Sequence, residues 1–172
     1  MEAIVLAGGF GTRLREVVAD IPKPMAPIAG RPFLEIVLSQ LGDKGFSRVV
    51  LSLGYLAHKI IDHFGHAFGG MELVYHVEQM PLGTGGAVRC ALEQCRADHV
   101  FVLNGDTYLD VEAADVEAQW QRDRRPIVVT TEVADTSRYG RVETADQRVV
   151  GFVDKGVRGR DRKSTRLNSS HT

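Results

Sequence analysis

Three closely spaced glycines follow an apolar run in Leu6-Ala7-Gly8-Gly9-Phe10-Gly11-Thr12-Arg13-Leu14, the first place in this 172-residue sequence where chemistry can be read. Glycine removes the side chain where a backbone must wrap closely round a ligand. Successive free N–H groups in such a turn bind an anion, and the start of a following helix adds partial positive charge. Arg13 supplies a planar fork of donors matched to phosphate oxygens, and Thr12 supplies a hydroxyl. Two other phosphate loops do not fit. No G-x-x-x-x-G-K-[ST] string occurs, and a G-x-G-x-x-G fingerprint would put its third small residue at Leu14. A turn that needs glycine for its own geometry is the plainer reading, and the sequel Thr12-Arg13-Leu14 weighs against it.

Three further places add polar groups. Lys23 stands in the run Pro22-Lys23-Pro24-Met25, where prolines pre-set the backbone and reduce the entropy lost when the ammonium meets an anion. An exposed lysine in a rigid turn is the competing account. In Glu78-Gln79-Met80-Pro81-Leu82-Gly83-Thr84-Gly85-Gly86-Ala87 the glycines permit close approach of a flat base or sugar. Glu78 there offers an acceptor for base N–H groups, and Thr84 could instead be a helix N-cap. Asn104-Gly105-Asp106 ends an apolar run; a carboxylate there can hold Mg2+ between phosphates, or the triplet can simply close a strand as an Asx turn.

Taken in order and spacing, Leu6 to Leu14 and then Pro22-Lys23-Pro24-Met25 resemble the opening of the sugar nucleotidyltransferase family. The resemblance runs from Met1 to Gly156. It implies an enzyme that condenses a nucleoside triphosphate with a sugar 1-phosphate and releases pyrophosphate. It implies nucleotide binding by Leu6, Ala7, Gly8, Gly9, Gly11, Thr12, Arg13, Lys23, Glu78, Pro81, Gly83 and Thr84, with catalytic roles for Arg13, Lys23 and Asp106. Asp106 is the expected ligand of a Mg2+ cofactor, and Asn104 a sugar or phosphate contact. Tyr139-Gly140-Arg141-Val142 and Phe152-Val153-Asp154-Lys155 resemble the family's sugar-binding stretch, with Gly140 allowing approach, Asp154 accepting hydroxyls and Lys155 holding the phosphate. Many members have Glu where Asp154 stands. The run Asp20 to Ile28, with Pro81 to Ala87 and Asn104 to Thr107, is most similar to the members acting on D-glycero-alpha-D-manno-heptose 1-phosphate. That similarity implies GTP and a product bound for cell-surface glycans; mannose 1-phosphate and other hexose 1-phosphates share much of the pattern.

These groups need a frame. Apolar runs at Ala3–Ala7, Arg48–Leu53, Leu73–Val77, His99–Leu103 and Ile127–Val133 read as strands. Phe33–Leu41, Leu56–Phe64, Gly85–Gln94 and Val111–Gln121 read as helices, and Val142–Glu143 with Val149–Val153 as a late hairpin. Pro22, Pro24, Pro27 and Pro32 forbid a continuous helix between Ile21 and Arg31. Alternating strands and helices predict an α/β fold, a mostly parallel Rossmann-like sheet flanked by helices on both faces. Each suggestive loop follows a strand, so all should converge at the carboxyl ends, where such sheets bind ligands.

Composition narrows the class. Hydrophobic residues make up 44% and charged residues 25%, ample for one soluble domain with its own core. A net charge of -1 speaks against a general nucleic-acid binder. Two cysteines, Cys90 and Cys95, imply no disulfide framework, which suits the cytoplasm. No apolar run approaches the roughly 20 residues that span a bilayer, so no membrane partner is expected. His58, His63, His66, His76 and His99 show no joint metal spacing.

Asp161-Arg-Lys-Ser-Thr-Arg-Leu-Asn-Ser-Ser-His171 corresponds, codon for codon, to one reading frame of a widely used sequencing-adapter DNA. The expectation is a nucleotidyltransferase domain over residues 1–160, truncated on its C-terminal side, and a non-native, disordered tail over 161–172. A second metal-binding Asp, usual in the family, finds no match, so weak catalysis is expected, and lost C-terminal helices would leave part of the sheet uncovered, which predicts low solubility. A non-catalytic module that senses nucleotide or sugar phosphate is the alternative of another class; retention of Arg13, Lys23 and Asp106 opposes it.

Overall fold

The computed structural model describes residues 1–9, 21–133 and 139–153, and the backbone of 165–167. Its first strand, β1 (Glu2–Ala7), is an interior strand of the main sheet. A 3-10 turn over Lys23–Met25 and a short hairpin, β2 (Pro27–Ile28) and β3 (Arg31–Pro32), lead into α1 (Phe33–Asp43). Then come β4 (Arg48–Leu53), α2 (Ala57–Phe64), β5 (Ala67–Phe68), β6 (Met71–Val77), α3 (Gly83–Leu92), β7 (Phe101–Asn104) and α4 (Ala113–Asp123). The chain continues through β8 (Thr130–Glu132), β9 (Arg141–Ala145), β10 (Arg148–Val153) and β11 (Thr165–Leu167).

The main sheet has the order β5-β6-β4-β1-β7, with β6, β4, β1 and β7 all parallel and β5 antiparallel at the edge. Strands buried on both faces should be mostly apolar, as Ala3–Ala7 of β1 and Val49–Leu51 of β4 are. Alternate residues of β1 serve two cores. Ala3, Val5 and Ala7 join Leu34, Val37, Leu38 and Leu41 of α1 and Ala57, Ile60 and Phe64 of α2. Ile4 faces the other way, with Val50, Val102 and Ala91 of α3. Helices therefore cover both faces, as the alternation predicted. The chain leaves β1 for β4 on one side and reaches β7 on the other, which makes the carboxyl end of β1 the switch point of the sheet.

Helix α1 buries four side chains at i, i+3, i+4 and i+7, each contributing on the order of 1.5–3 kcal/mol. Helix α4 buries only Ala113 and must be held otherwise. Its Trp120 ring stacks on His99 at 3.7 Å and 18°, and the Arg124 guanidinium lies over the Trp120 ring, 4.2 Å from its centroid. His99 Nδ1 meets Asp98 Oδ1 at 2.6 Å and Nε2 meets Glu117 Oε2 at 2.7 Å, while Arg124 donates to Asp98 at 3.2 Å. Burial alone would lower the His99 pKa, but hydrogen bonds to the two carboxylates outweigh it and the value is raised. The same pairing with His99 holds Asp98 below its ordinary range. Tyr75 of β6 donates its hydroxyl to the Gly65 carbonyl at the end of α2, and burial pushes its pKa up to about 12.

At the amino end of the sheet, Glu2, Arg48 and Glu72 occupy one register row across β1, β4 and β6. Arg48 is 7% exposed and Glu2 9%, so both charges are withdrawn from water and must be paired. Arg48 pairs with Glu2 and Glu72 and donates to Gln94 O at 2.9 Å. Glu2 in turn accepts from the backbone amides of Arg96 and Ala97 at 2.8 and 3.1 Å. That bond from Arg48, ahead of a smaller opposing effect of burial, lowers the Glu72 pKa.

Several expectations are refined. The proline stretch holds a 3-10 turn and a hairpin, closed at Ala29-Gly30 with both φ positive (50° and 82°). Helix α3 starts two residues earlier than Gly85, and β7 starts at Phe101 rather than His99, because Asp98 and His99 are engaged with α4. A second sheet, order β10-β9-β11-β8, is antiparallel, so the mostly parallel description belongs to the first sheet. Its late hairpin turns at Asp146-Gln147, φ 49° and 61°. Within the tail expected to be disordered, Thr165–Leu167 pairs with β8 and β9. Alternating Thr-Arg-Leu suits a strand, and the open edges of β8 and β9 offer it backbone partners. The rest of residues 161–172 lies outside the described residues. Among the described residues no helix is long and apolar enough to cross a membrane.

Candidate active site

Register assembles the site. Ala7, Leu53 and Val77 are neighbours in one row of β1, β4 and β6, and Leu6 pairs with Asn104 of β7. The next residues along these strands, Gly8, Gly54, Glu78 and Gly105, therefore emerge side by side at the carboxyl ends. At the three glycines the packing leaves little space for a side chain. A Cβ on Gly8 would lie 2.5 Å from Glu78 Oε1, and one on Gly54 would lie 2.5 Å from the Gly8 carbonyl oxygen. Gly105 is buried, its amide donating to Leu6 O at 2.8 Å, and a Cβ there would stand 3.1 Å from the Ala7 Cβ. Gly9 differs: it is exposed, with no described atom within 4 Å of an added Cβ.

A cavity of about 180 Å³ opens beside these glycines, lined by Gly8, Gly54, Tyr55, Glu78, Gln79, Met80 and Pro81. Glu78 carries two loads. Its Oε1 accepts from the buried Ser52 hydroxyl at 3.0 Å, and its Oε2 accepts from the Leu82 amide at 3.1 Å. The carboxylate thus anchors the loop into α3 while bordering the cavity. Gly83 opens α3 with φ 67°, a conformation that favours glycine. Thr84 lies inside the first turn, and Leu82 occupies the N-cap position without a side-chain cap, so the N-cap reading of Thr84 is corrected. Glu78 offers its acceptor to the Leu82 amide in its place.

Across the switch point, Lys23 Nζ meets Asp106 Oδ2 at 2.5 Å, joining residues 83 positions apart. Pro22 and Pro24 are buried on either side of Lys23, and the turn closes with Met25 N–H on Pro22 O at 2.7 Å. The stiffness inferred for that loop is therefore physical: two buried rings fix the turn and present the lysine between them. The side chains of Lys23 and Asp106 are 43% and 42% exposed, open enough to exchange partners with a ligand. Thr107 Oγ1 also donates to Asp106 Oδ1 at 3.3 Å.

Leu6, Ala7, Gly8, Gly9, Lys23, Glu78, Pro81, Asn104 and Asp106 are thus gathered at one end of one sheet. Gly140 lies immediately before β9 in the second sheet. Gly11, Thr12, Arg13, Asp154 and Lys155 lie outside the described residues. Sequence reasoning missed Ser52, Gly54 and Tyr55. The signal for them was available, since Ser52-Leu53-Gly54-Tyr55 closes a buried strand as Leu6-Ala7-Gly8-Gly9 does.

Among the described residues no group of three or more His, Cys, Asp or Glu is placed to hold a metal. A single exposed carboxylate nevertheless fits Mg2+, which keeps several waters and is held by one or two carboxylates with substrate phosphates. Asp106 meets that requirement, with a half-exposed counter-charge in Lys23.

A family model described as Nucleotidyl transferase matches residues 2–163. The chain belongs to the nucleotidyl transferase family. Among relatives of this nucleotidyl transferase, the D-glycero-alpha-D-manno-heptose 1-phosphate guanylyltransferase of Aneurinibacillus thermoaerophilus is 40% identical over 157 residues, 91% of this chain and 68% of that protein. The mannose-1-phosphate guanylyltransferase of Mycobacterium tuberculosis is 35% identical over 158 residues, 90% of this chain and 44% of that protein. The crystal structure of HddC from Yersinia pseudotuberculosis complexed with GMP-PN matches with a TM-score of 0.82 at 37% identity, covering 98% of this nucleotidyl transferase chain and 73% of that one.

Proposed function

We propose that this nucleotidyltransferase moves a guanylyl group from GTP to D-glycero-alpha-D-manno-heptose 1-phosphate, giving a nucleotide-sugar for surface glycans and pyrophosphate. The observation that carries the proposal is the Lys23–Asp106 pair, set at the carboxyl end of β1 beside the glycine loop. Anion-binding groups and a carboxylate meet there from distant parts of the sequence, as phosphoryl chemistry requires and simple packing does not. The choice of guanine and heptose rests on the relatives. Two free cysteines suit a reaction in the cytoplasm, where nucleoside triphosphates are available.

In the proposed reaction a sugar-phosphate oxygen forms a bond to the α-phosphorus while the bond to the bridging oxygen breaks, and its electron pair leaves with pyrophosphate. The protein supplies position and charge. The backbone at Gly8 and Gly9 gives the triphosphate close access, and the Glu78 side of the cavity takes the base. Lys23 exchanges Asp106 for phosphate oxygens and offsets their charge. Arg13, with Gly11 and Thr12, is proposed to grip the same phosphates; Asn104, Gly140, Asp154 and Lys155 are proposed to hold the sugar phosphate. Mg2+ bound at Asp106 would neutralise phosphate charge.

The test measures pyrophosphate release from four nucleoside triphosphates with heptose and mannose 1-phosphates. GTP with the heptose substrate should be preferred, and Asp106→Asn, Lys23→Ala or Arg13→Ala should lower turnover by about 10²–10³, the scale of a lost transition-state contact. Near-normal release by the Asp106 or Lys23 variant would overturn the scheme. Nucleotide binding without release from any pair would favour a sensing module.

A further inference from the structure

Asp106 is carried by a stretch without helix or strand, running from Gly105 to Glu112. Its first end is fixed where Gly105 bonds to Leu6, and its second where buried Ala113 begins α4. A tether of this length held only at its ends would let the carboxylate wander, because each free residue retains its backbone entropy. Besides the Lys23 contact on Asp106 itself and the Thr107 amide bond to Asn104 O at 3.3 Å, the structure supplies a hold in the middle of the stretch. Gln40 Nε2, on α1, donates to the Leu109 carbonyl at 2.6 Å across 69 positions of sequence. Both residues are partly buried, which limits competition from water.

We propose that Gln40 is a positioning residue for nucleotidyl transfer, setting the place of Asp106 through the loop it clasps; this rests on the reading of Asp106 under the proposed function. The argument extends to the helix. At its amino end the Phe33 amide donates to Ala26 O at 3.0 Å, one residue past the turn that presents Lys23. About two turns later the same helix reaches the Asp106 loop through Gln40, and Lys44, just past its end, pairs with Glu112 at 3.6 Å. Four buried side chains hold the helix between these contacts. Helix α1 is therefore a fixed spacer between the two partners of the Lys23–Asp106 pair, and Gln40 is its clasp on the acidic side. The chemistry of the clasp is directional. A carbonyl only accepts, so position 40 must offer a donor; a carboxylate there would face the carbonyl with like partial charge.

The test compares the chain with Gln40→Met, which keeps length and loses the donor, Gln40→Glu, which adds repulsion, and Gln40→Lys, which keeps an N–H donor. Mn2+ serves as the probe, its free concentration read by electron paramagnetic resonance in the presence of GTP. GTP affinity without metal and the thermal midpoint are measured alongside. The Met and Glu variants should bind Mn2+ about 3–10-fold more weakly, the scale of one lost hydrogen bond. Metal-free GTP affinity should not change, and Lys should restore Mn2+ binding to within about twofold. Unchanged Mn2+ binding in Met and Glu overturns the proposal. So does an equal loss in all three variants that tracks the thermal midpoint, since that marks packing alone. Failure of the unsubstituted chain to bind Mn2+ with GTP has a separate meaning: it removes Asp106 as a metal ligand, and the role of Gln40 falls with it.

Discussion

An added methyl at Gly54 would press within 2.5 Å of the Gly8 carbonyl, a backbone atom that cannot swing aside. Gly54→Ala should therefore displace the end of β1, costing about 1–3 kcal/mol as an overpacked contact. Nucleotide affinity should fall with it. Gly9→Ala is the control, because open space surrounds that position among the described residues. If Gly9→Ala weakens nucleotide binding while chemical denaturation shows unchanged stability, its glycine serves the ligand; the reverse ranking of the two variants would refute this division. The sequence could show that glycines cluster here, but not which served packing. Gly8 and Gly9 are adjacent and identical in type, and only the neighbouring strand end separates their roles. Glu78 was legible as an acceptor beside the cavity; its bonds to Ser52 and Leu82 were not, since they depend on strands adjacent in register.

Helix α4 illustrates a different kind of dependence. With one buried residue, it relies on His99, Trp120, Arg124, Asp98 and Glu117 for its seat against the start of β7. The raised His99 pKa means its stabilisation is complete below 6.5 and is lost as pH rises through the folded value. For Asp98, lowered chiefly by its bond to His99, the contribution is present above the unfolded value near 3.8 and lost as pH falls. Glu117 behaves alike: burial opposes its charge, but bonds from Gln121 and His99 prevail and lower the pKa. The seat is thus strongest in mildly acidic solution. His99→Gln should cost about 1 kcal/mol near pH 6 and progressively less above neutrality, read as the difference in thermal midpoint from the parent. A difference constant from pH 6 to 9 would refute the clamp. The alternating elements of the first sheet were readable from apolar runs because burial on two faces imposes them. The boundary of β7 was missed because side-chain pairing, not apolar period, ends the strand there. In the second sheet the hairpin and the strand read over Ile127–Val133, which contains β8, were legible, whereas β11 is three residues long and carries little pattern.

At the scale of the molecule, the two sheets differ in exposure. The first is covered on both faces, whereas β10 is an edge strand with Val149, Val150 and Phe152 at 40%, 64% and 57% exposure. Exposed apolar edges recruit other chains, and a lysine at such a position blunts the edge. Val150→Lys should slow concentration-dependent light scattering severalfold without altering the far-ultraviolet circular dichroism; unchanged scattering would locate the association elsewhere. The opposite pole of the first sheet has another consequence. Glu2, Arg48 and Glu72 form one row, and sliding any of these strands by one residue would set a withdrawn charge against an aliphatic neighbour. Rejecting such misthreading at the amino end fixes which residues emerge at the carboxyl end. The row works as a key cut at one end of a lock: the proposed catalytic edge inherits its alignment from three charges at the opposite end of the sheet.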